Sequence, residues 1–466
     1  MKRKKYPLKS LCSSFLMTAF IFSAHNVDAQ STSSKAWTNL FDGKTLNGWK
    51  TLGGKAPYSI ENGVIVGRMT KGTSNSFLVT EKEYGDFILE LDIKLEGDRT
   101  NSGVQVRSHY DPNGNKGQGR VYGRQVEIDP TSRAWTGGIY DEARRLWLYP
   151  LDLNENAKNA YKAEQFNHIR IESIGNELKT WVNDVPVSYL VDTIDLKGFI
   201  GLQVHSIPEE LDGKKVYFKN IRIQTSNFQT KAFPKDVYVV NLTPNQLNNQ
   251  EKDAGYSLLF DGKTSANWRS VHSDKFPAKG WEVKEGIIKV VKSDGGESTN
   301  GGDIITNEQF DAFDLSFEFK LTEGANSGVK YFVTLKEQTQ GSAIGLEYQV
   351  LDDAKHPDAK LGRNGNRTLA SLYDLMTSNR DGRARRQIGE WNRGRIIASK
   401  DNRVTYYLNG IKMLSFVRGS QEFNDLVAIS KYKDWDNFGL AEKGHILLQD
   451  HGDEVSFRSI KIKKLK

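Results

Sequence analysis

The 466-residue chain reads as an all-β protein built from two tandem antiparallel β-sandwiches. Three observations predict this. Apolar and polar residues alternate with period two in the most regular segments, the mark of a strand with one buried face. The composition, with 42 Gly, 22 Phe, 18 Tyr and 9 Trp, leans toward strands and turns. The landmarks of residues 39–223 also return, in the same order, over 258–462.

The chain opens on MKRKKYPLKSLCSSFLMTAFIFSAHNVDAQ. Basic residues (Lys2, Arg3, Lys4, Lys5, Lys9) precede an apolar run from Phe15 to Ala24 and a small-residue exit at Val27-Asp28-Ala29. Residues 1–29 thus read as a secretory signal peptide cleaved near Ala29, too short for a membrane span. Export to the periplasm or beyond is expected. The single cysteine, Cys12, precedes most of the apolar run, where a lipoprotein cysteine would follow it. Once the leader is removed, disulfides, thiol nucleophiles and Cys-zinc sites are excluded. Much of the formal charge of +7 also belongs to the leader, so nucleic acid is not an expected partner. No later stretch approaches 18 apolar residues, and no membrane-spanning helix is expected.

The first repeat unit is placed at 30–225, the second at 256–466, and a linker at 226–255. NLFDGKTLNGWK (39–50) matches LLFDGKTSANWR (258–269), and YGDFILELDIKLEGDRTNSGVQV (84–106) matches FDAFDLSFEFKLTEGANSGVKYF (310–332). FNHIRIE (166–172) matches WNRGRII (391–397), and VYFKNIRI (216–223) matches VSFRSIKI (455–462). Two copies of this size mean two domains, not a solenoid. In FILELDIKL, Phe87, Leu89, Leu91, Ile93 and Leu95 face one way and Glu90, Asp92 and Lys94 the other. WVNDVPV and YLNGIKM carry hairpin turns between apolar runs. Long helices are not expected, and the Asn/Gln-rich 226–255 reads as connection, with room for one strand in DVYVVNL.

Candidate functional residues come from phrases that both units carry. GLQVHS places Gln203 and His205 on one strand face with Gly201, opposite Ile200, Leu202 and Val204; LLQDHG repeats this with Gln449 and His451. Each pair can mark an active-site floor or be a structural feature copied with the repeat. Gln125, Glu127 and Asp129 lie in phase on YGRQVEID, and Glu347 and Gln349 take the first two places in the second unit, with amide and carboxylate exchanged. Buried they make a site; exposed they are ordinary surface carboxylates. Tyr140 and Asp141 match Tyr373 and Asp374; such a tyrosine stacks on a sugar, donates a proton or packs a strand end. Arg144 and Arg145 are candidates for substrate oxygens or for a neighbouring carboxylate, and Arg107 is a candidate for substrate contact. NSG (101–103 and 326–328) reads as a turn. Asp352, Asp353, His356 and Asp358 offer metal-type donors but read better as a polar loop. No cofactor is required, although a divalent cation such as Ca²⁺ fits sandwiches of this kind. No Gly-rich nicotinamide motif is present.

LFDGKTLNGW, NSG, EYQVLDDAKHPDAK, RTLASLYDL, GEWN and GHILLQDHGDEVSFRSIKIK together resemble the 3-keto-disaccharide hydrolase family over nearly all of 37–225 and 256–466. The first unit, with QVEID and TGGIYDE, looks like a variant of the pattern. The resemblance implies concanavalin A-like (jelly-roll) sandwiches acting on disaccharides or glycosides already oxidised at C3. A partner sugar 3-dehydrogenase would supply that substrate. It also implies removal of the C2 proton and β-elimination of the C1 substituent, followed by hydration. His205 and His451 are then base or acid candidates, with Glu127, Asp129 and Glu347 as competing bases. Gln125, Gln203, Gln349, Gln449, Arg107, Tyr140, Asp141, Arg144, Arg145 and Tyr373 become candidate substrate contacts.

Two rivals remain open. A laminarinase-type glucanase needs Glu-x-Asp-x-x-Glu, but Thr131 and Ser132 follow Glu127-Ile128-Asp129 where the second Glu should come, so the two-carboxylate pair is poorly supplied. A lectin-like binding protein, or one active and one binding domain, fits the same fold.

Overall fold

The computed structural model describes residues 37–293, 296–335, 338–339 and 342–466; the expected leader 1–29 lies outside the described residues. Within them, a nine-stranded and a seven-stranded sheet form the first sandwich, and an eight-stranded and a five-stranded sheet form the second. Phe87–Leu95 illustrates why. Its apolar set (Phe87, Leu89, Leu91, Ile93, Leu95) is buried in the main core, and the strand pairs antiparallel with both Asn167–Ile174 and Lys215–Gln224. Phe313–Leu321 repeats the arrangement between Trp391–Ala398 and Val455–Lys464. Opposing sheets meet closely: Phe317 and Tyr348 pack edge to face at 5.4 Å, and the Tyr331 and Tyr406 hydroxyls share a 2.7 Å hydrogen bond.

The two predicted hairpins form. Asn183 and Asp184 (φ 49° and 66°) turn one of them, and Asn409 with Gly410 (φ 50° and 86°) the other. Both central residues lie in the left-handed region, as a type I′ turn requires. Among the described residues helix is sparse, and Gln421–Ala428 is the longest, at eight residues. Among the described residues no helix is long and apolar enough to cross a membrane.

The segment expected to be a linker is built into the fold. Val239–Asn241 pairs parallel to Val185–Val191 as an edge strand. A short helix, Asn249–Asp253, follows a capping box in which Asn248 and Glu251 satisfy each other's backbone N–H groups. Buried Glu251 also accepts from Asn241 at 2.7 Å and pairs with Lys461 of the second sandwich. The Tyr238 hydroxyl donates to Ser316 Oγ (3.1 Å), while its carbonyl accepts from the Tyr149 hydroxyl (2.9 Å). Val239–Asn241 is the strand for which DVYVVNL left room, and Tyr238, Val239 and Val240 are apolar enough to be buried there.

The sandwiches also touch directly. Arg386 Nη2 donates to the Trp147 carbonyl (2.7 Å) and Arg393 Nη2 to that of Leu148 (3.0 Å). A Cβ on Gly410 would come within 2.8 Å of Pro150 Cδ, so the hairpin tip approaches the first sandwich as closely as glycine allows.

Candidate active sites

Each sandwich carries a pocket on the outer face of its smaller sheet, at matching strand positions. In the first, Ser102–Asp111 lies between Arg120–Ile128 and Phe199–Val204, setting Gly103 opposite Glu127, and Gln105 opposite Gln125 and Gly201. In the second, Asn326–Val333 lies between Leu346–Leu351 and His445–Leu448, setting Gly328 opposite Gln349, and Lys330 opposite Glu347 and Leu447. The register therefore equates Gln125 with Glu347, Glu127 with Gln349, Gln203 with Gln449 and His205 with His451. Ile200, Leu202 and Val204 turn inward as the alternation requires. Both histidines stand just past the end of their strands, where a side chain is free to lean over the cavity.

NSG is a strand start, not a turn. A Cβ on Gly103 would fall 2.3 Å from Gln125 Cδ, and one on Gly328 would fall 2.3 Å from Glu347 Oε1. The glycine makes room for the polar side chain beside it, which is why it recurs.

The first cavity, of about 440 Å³, is lined by Asn101, Gln125, Glu127, Arg133, Tyr140 and His205 among others. Ser108 Oγ donates to Gln105 Oε1 (2.6 Å), Gln105 Nε2 to Gln125 Oε1 (2.8 Å), and Gln125 Nε2 to Glu127 Oε2 (3.1 Å). This relay of amides ends on a carboxylate whose other oxygen accepts from Asn101 (2.6 Å) and Arg133 (3.2 Å). Burial nevertheless pushes Glu127 up to about 7, against the hydrogen bond from Asn101 and the charge of Arg133. Burial lowers His205, so its imidazole is neutral at pH 7, and Nδ1 faces the Ser206 carbonyl as a donor. That assignment leaves Nε2 with a lone pair. Tyr140 packs on Trp147 at 5.2 Å. One lining residue, Arg383, comes from the second sandwich; its guanidinium lies 5.0 Å from the Trp135 ring centre, and its Nε is held by Asp381 at 2.9 and 3.0 Å.

The second cavity, of about 220 Å³, is lined by Glu347, Gln349, Tyr373, Gln449 and His451, with Asn326, Lys330, Glu297 and Lys431. Burial raises Glu347, opposed by the positive charges of Lys330 and Lys431, and burial lowers Lys431. Lys330 approaches Asp303 at 3.7 Å. Gln449 Nε2 donates to Glu297 (3.1 Å), while its Oε1 and Nδ1 of His451 are buried without a hydrogen-bond partner. Lys431 Nζ lies 4.3 Å from the Tyr373 ring centre.

Several sequence candidates lie elsewhere. Arg107 sits in a bulge (φ 49°) that turns it from the pocket row, and it donates to the carbonyls of Gly85 (2.7 Å), Gly175 (2.7 Å) and Ser173 (2.8 Å). It is a buried structural tie, not a cavity residue. Asp129 ends the polar row, but its carboxylate accepts from the Thr131 amide (3.1 Å) and Arg133 Nε (2.6 Å), which closes the loop after the strand. Asp141, Arg144 and Arg145 form an ion cluster with Asp192 and Asp195 away from the first cavity. Arg145 lines a separate cavity of about 390 Å³ between the sandwiches. Gln203 is fully buried with both polar side-chain atoms unpartnered, beside the cavity and not on its wall. The space beside Gly201 is filled by Val79 and Gln105. In the polar loop, Asp352 accepts from Gly324 N, Asp353 from Leu369 N, and Asp358 pairs with Arg367. Sequence reasoning missed Asn101 and Asn326, Gln105 and Lys330, Arg133, Glu297, Arg383 and Lys431. The first four were in view, each two places from the recurring Gly103 or Gly328; the others come from loops with no shared pattern.

Fold and pockets together define a tandem pair of β-sandwiches, each with a polar cavity holding a histidine, a tyrosine at the matching position (Tyr140 or Tyr373) and a buried glutamate. The chain belongs to the family of 3-keto-alpha-glucoside-1,2-lyase-like domains, whose profile matches residues 36–224 and 255–463. A 3-keto-disaccharide hydrolase of Bacteroides thetaiotaomicron is 37% identical over 233 residues, covering 45% of this chain and 79% of that protein. Among solved structures, a candidate glycosyl hydrolase of Parabacteroides distasonis is 29% identical, with TM-score 0.42, over 48% of this chain and 100% of that one. A carbohydrate-binding module of Bacillus subtilis is 18% identical, with TM-score 0.26, over 38% of this chain and 95% of that one.

Proposed function

We propose that the protein is an exported enzyme that cleaves glycosides or disaccharides oxidised to a ketone at C3. The observation that carries this reading is the pairing, in one cavity, of His205 kept neutral by burial with Glu127 raised to about 7. Family membership and the Bacteroides relative's name supply the substrate class.

A C3 ketone acidifies the C2 proton. His205 Nε2, carrying the lone pair, takes that proton. The electron pair left on C2 forms the enolate and then expels the C1 oxygen, giving a 2-hydroxy-3-keto glucal. Glu127, half protonated near pH 7, supplies a proton to the departing oxygen. Arg133 and the amide of Asn101 hold its carboxyl group and add positive potential over the developing charge. Water then adds across C1 and C2, hydroxide to C1 and proton to C2, so the sum is hydrolysis. In the second pocket Glu347 takes the part of the carboxyl group, with Lys431 and Lys330 beside it, and His451 lines the same cavity. A separate sugar 3-dehydrogenase provides the ketone, because the sequence carries no nicotinamide motif of its own. The leader in residues 1–29 supports export.

Incubating a 3-keto glucoside with the protein in D₂O tests the chemistry. Deuterium at C2 of substrate or product, with aglycone released, is the expected NMR result; aglycone release without C2 exchange sinks the elimination route. Binding of an unoxidised oligosaccharide without turnover of the keto glycoside favours the lectin reading instead.

A further inference from the structure

We propose that His356, His451 and Asp453 form a site for a divalent first-row transition metal at the rim of the second pocket. One donor atom from each residue lies within 4.8 Å of the other two. The two imidazoles meet edge to face, with centres 5.8 Å apart. His451 Nδ1 is buried with no hydrogen-bond partner, a cost that a bound ligand removes. Asp453 is held in place by the Asn326 amide, which donates to Oδ2 at 3.1 Å and leaves the other oxygen available.

Two imidazoles and a carboxylate suit Zn²⁺, Co²⁺ or Ni²⁺, whereas Ca²⁺ takes six to eight oxygens. Donors bound at about 2.1 Å stand at most about 4.2 Å apart, so side-chain rotation closes the set. His356 Nδ1 accepts a long bond from Asp358 N (3.2 Å), and that ring turns or moves its proton when it ligates. Three protein ligands leave positions open, and His451 lines the cavity, so an open position faces it. The oxygens of a 3-keto sugar are ligands of the right class there; that part rests on the proposed function, and the metal site does not. The first sandwich has its own cation in the loop after the matching strand. Arg133 sits there and pairs with Glu127 and Asp129.

The test uses the full chain, stripped with a chelator and titrated with Co²⁺ and then Zn²⁺, with no sugar present. Expected are one equivalent of Co²⁺ with a ligand-field spectrum, displacement by Zn²⁺, and about tenfold or greater weakening in both His356→Gln and Asp453→Asn. His205→Gln, in the other sandwich, leaves the titration unchanged. Failure of the parent protein to bind stoichiometrically overturns the proposal, whatever the variants do. Unaltered binding in a His356→Gln/Asp453→Asn double variant of parental melting temperature overturns it equally. With no substrate in the cell, failure of the 3-keto reading leaves all these outcomes untouched.

Discussion

In the first sandwich the residue opposite Gln125 is Gln105, and two strands away Phe77 stands opposite Gln203. In the second the same register pairs Lys330 with Glu347, and Asp303 precedes the strand position that carries Ile304 opposite Leu448. Two neutral amides and a phenyl ring thus occupy the ground that a lysine, a glutamate and an aspartate share in the other copy. The carboxyl group differs by two residues along the strand, standing at the Glu347 place in one copy and at that of Glu127 in the other. With it moves the means of tuning it. Glu127 is raised by burial beside amides and one guanidinium, while Glu347 is raised by burial against two lysines. A duplicated scaffold has kept histidine and tyrosine fixed and redistributed the charge around them.

The comparison breaks most sharply if one pocket is silent. Removing the histidine and carboxyl group of a working pocket (His205→Ala with Glu127→Gln, or His451→Ala with Glu347→Gln) should cost that pocket about 10²–10⁴-fold in kcat/KM. Single-pocket variants assayed on one 3-keto glucoside will show whether both copies turn over. Undiminished parental activity in both variants would remove both histidines from the chemistry. Next in size is Gly103→Ala or Gly328→Ala. The new methyl group meets a side chain at 2.3 Å, and overpacking of this kind typically costs about 1–3 kcal/mol. A lowered melting temperature with loss of only the affected pocket's activity is expected.

A smaller effect separates the pockets by pH. In a chain whose second pocket is silenced, the rate should fall as pH rises through about 7, because Glu127 then loses the proton it donates. Stability follows the same group. Its folded pKa is raised above the usual carboxylate value, so the native state holds more protons than the unfolded chain. Stability is then greatest below the unfolded pKa, declines as pH rises toward 7, and levels off above it. Glu127→Gln should flatten that decline in thermal melts at several pH values. The smallest effect expected is that of Arg383→Ala, which removes one rim group: about a tenfold rise in KM for the first pocket, with kcat little changed, as for loss of uniform binding.

Much of this was legible in the order of the residues. The repeat, the inward faces of the strands, the hairpins and the Gln-x-His phrases all follow from period two and from duplication, which act locally along the chain. Arg107 was expected to contact substrate, but it sits in a bulge that turns its side chain away from the pocket row, which no local pattern announces. Asp129, Asp141 and Arg144 carried the right chemistry but found each other, or neighbouring ions, before any cavity. Lys431, Glu297 and Arg383 reach their pockets from loops brought in by long-range packing, and no spacing rule encodes that. In the segment 226–255 the strand within DVYVVNL was legible, whereas the way its polar residues cap, pair and bridge the two sandwiches was not.

Arg383 has a consequence for how such a protein descends. A wall residue on loan from the adjoining copy makes the first cavity dependent on its neighbour's presence. Excising or exchanging the second half would strip the first of a cationic rim and of the carbonyl clasps made by Arg386 and Arg393. Such a gene fusion, once made, resists being undone, and the two halves drift in chemistry while remaining bound to a shared inheritance.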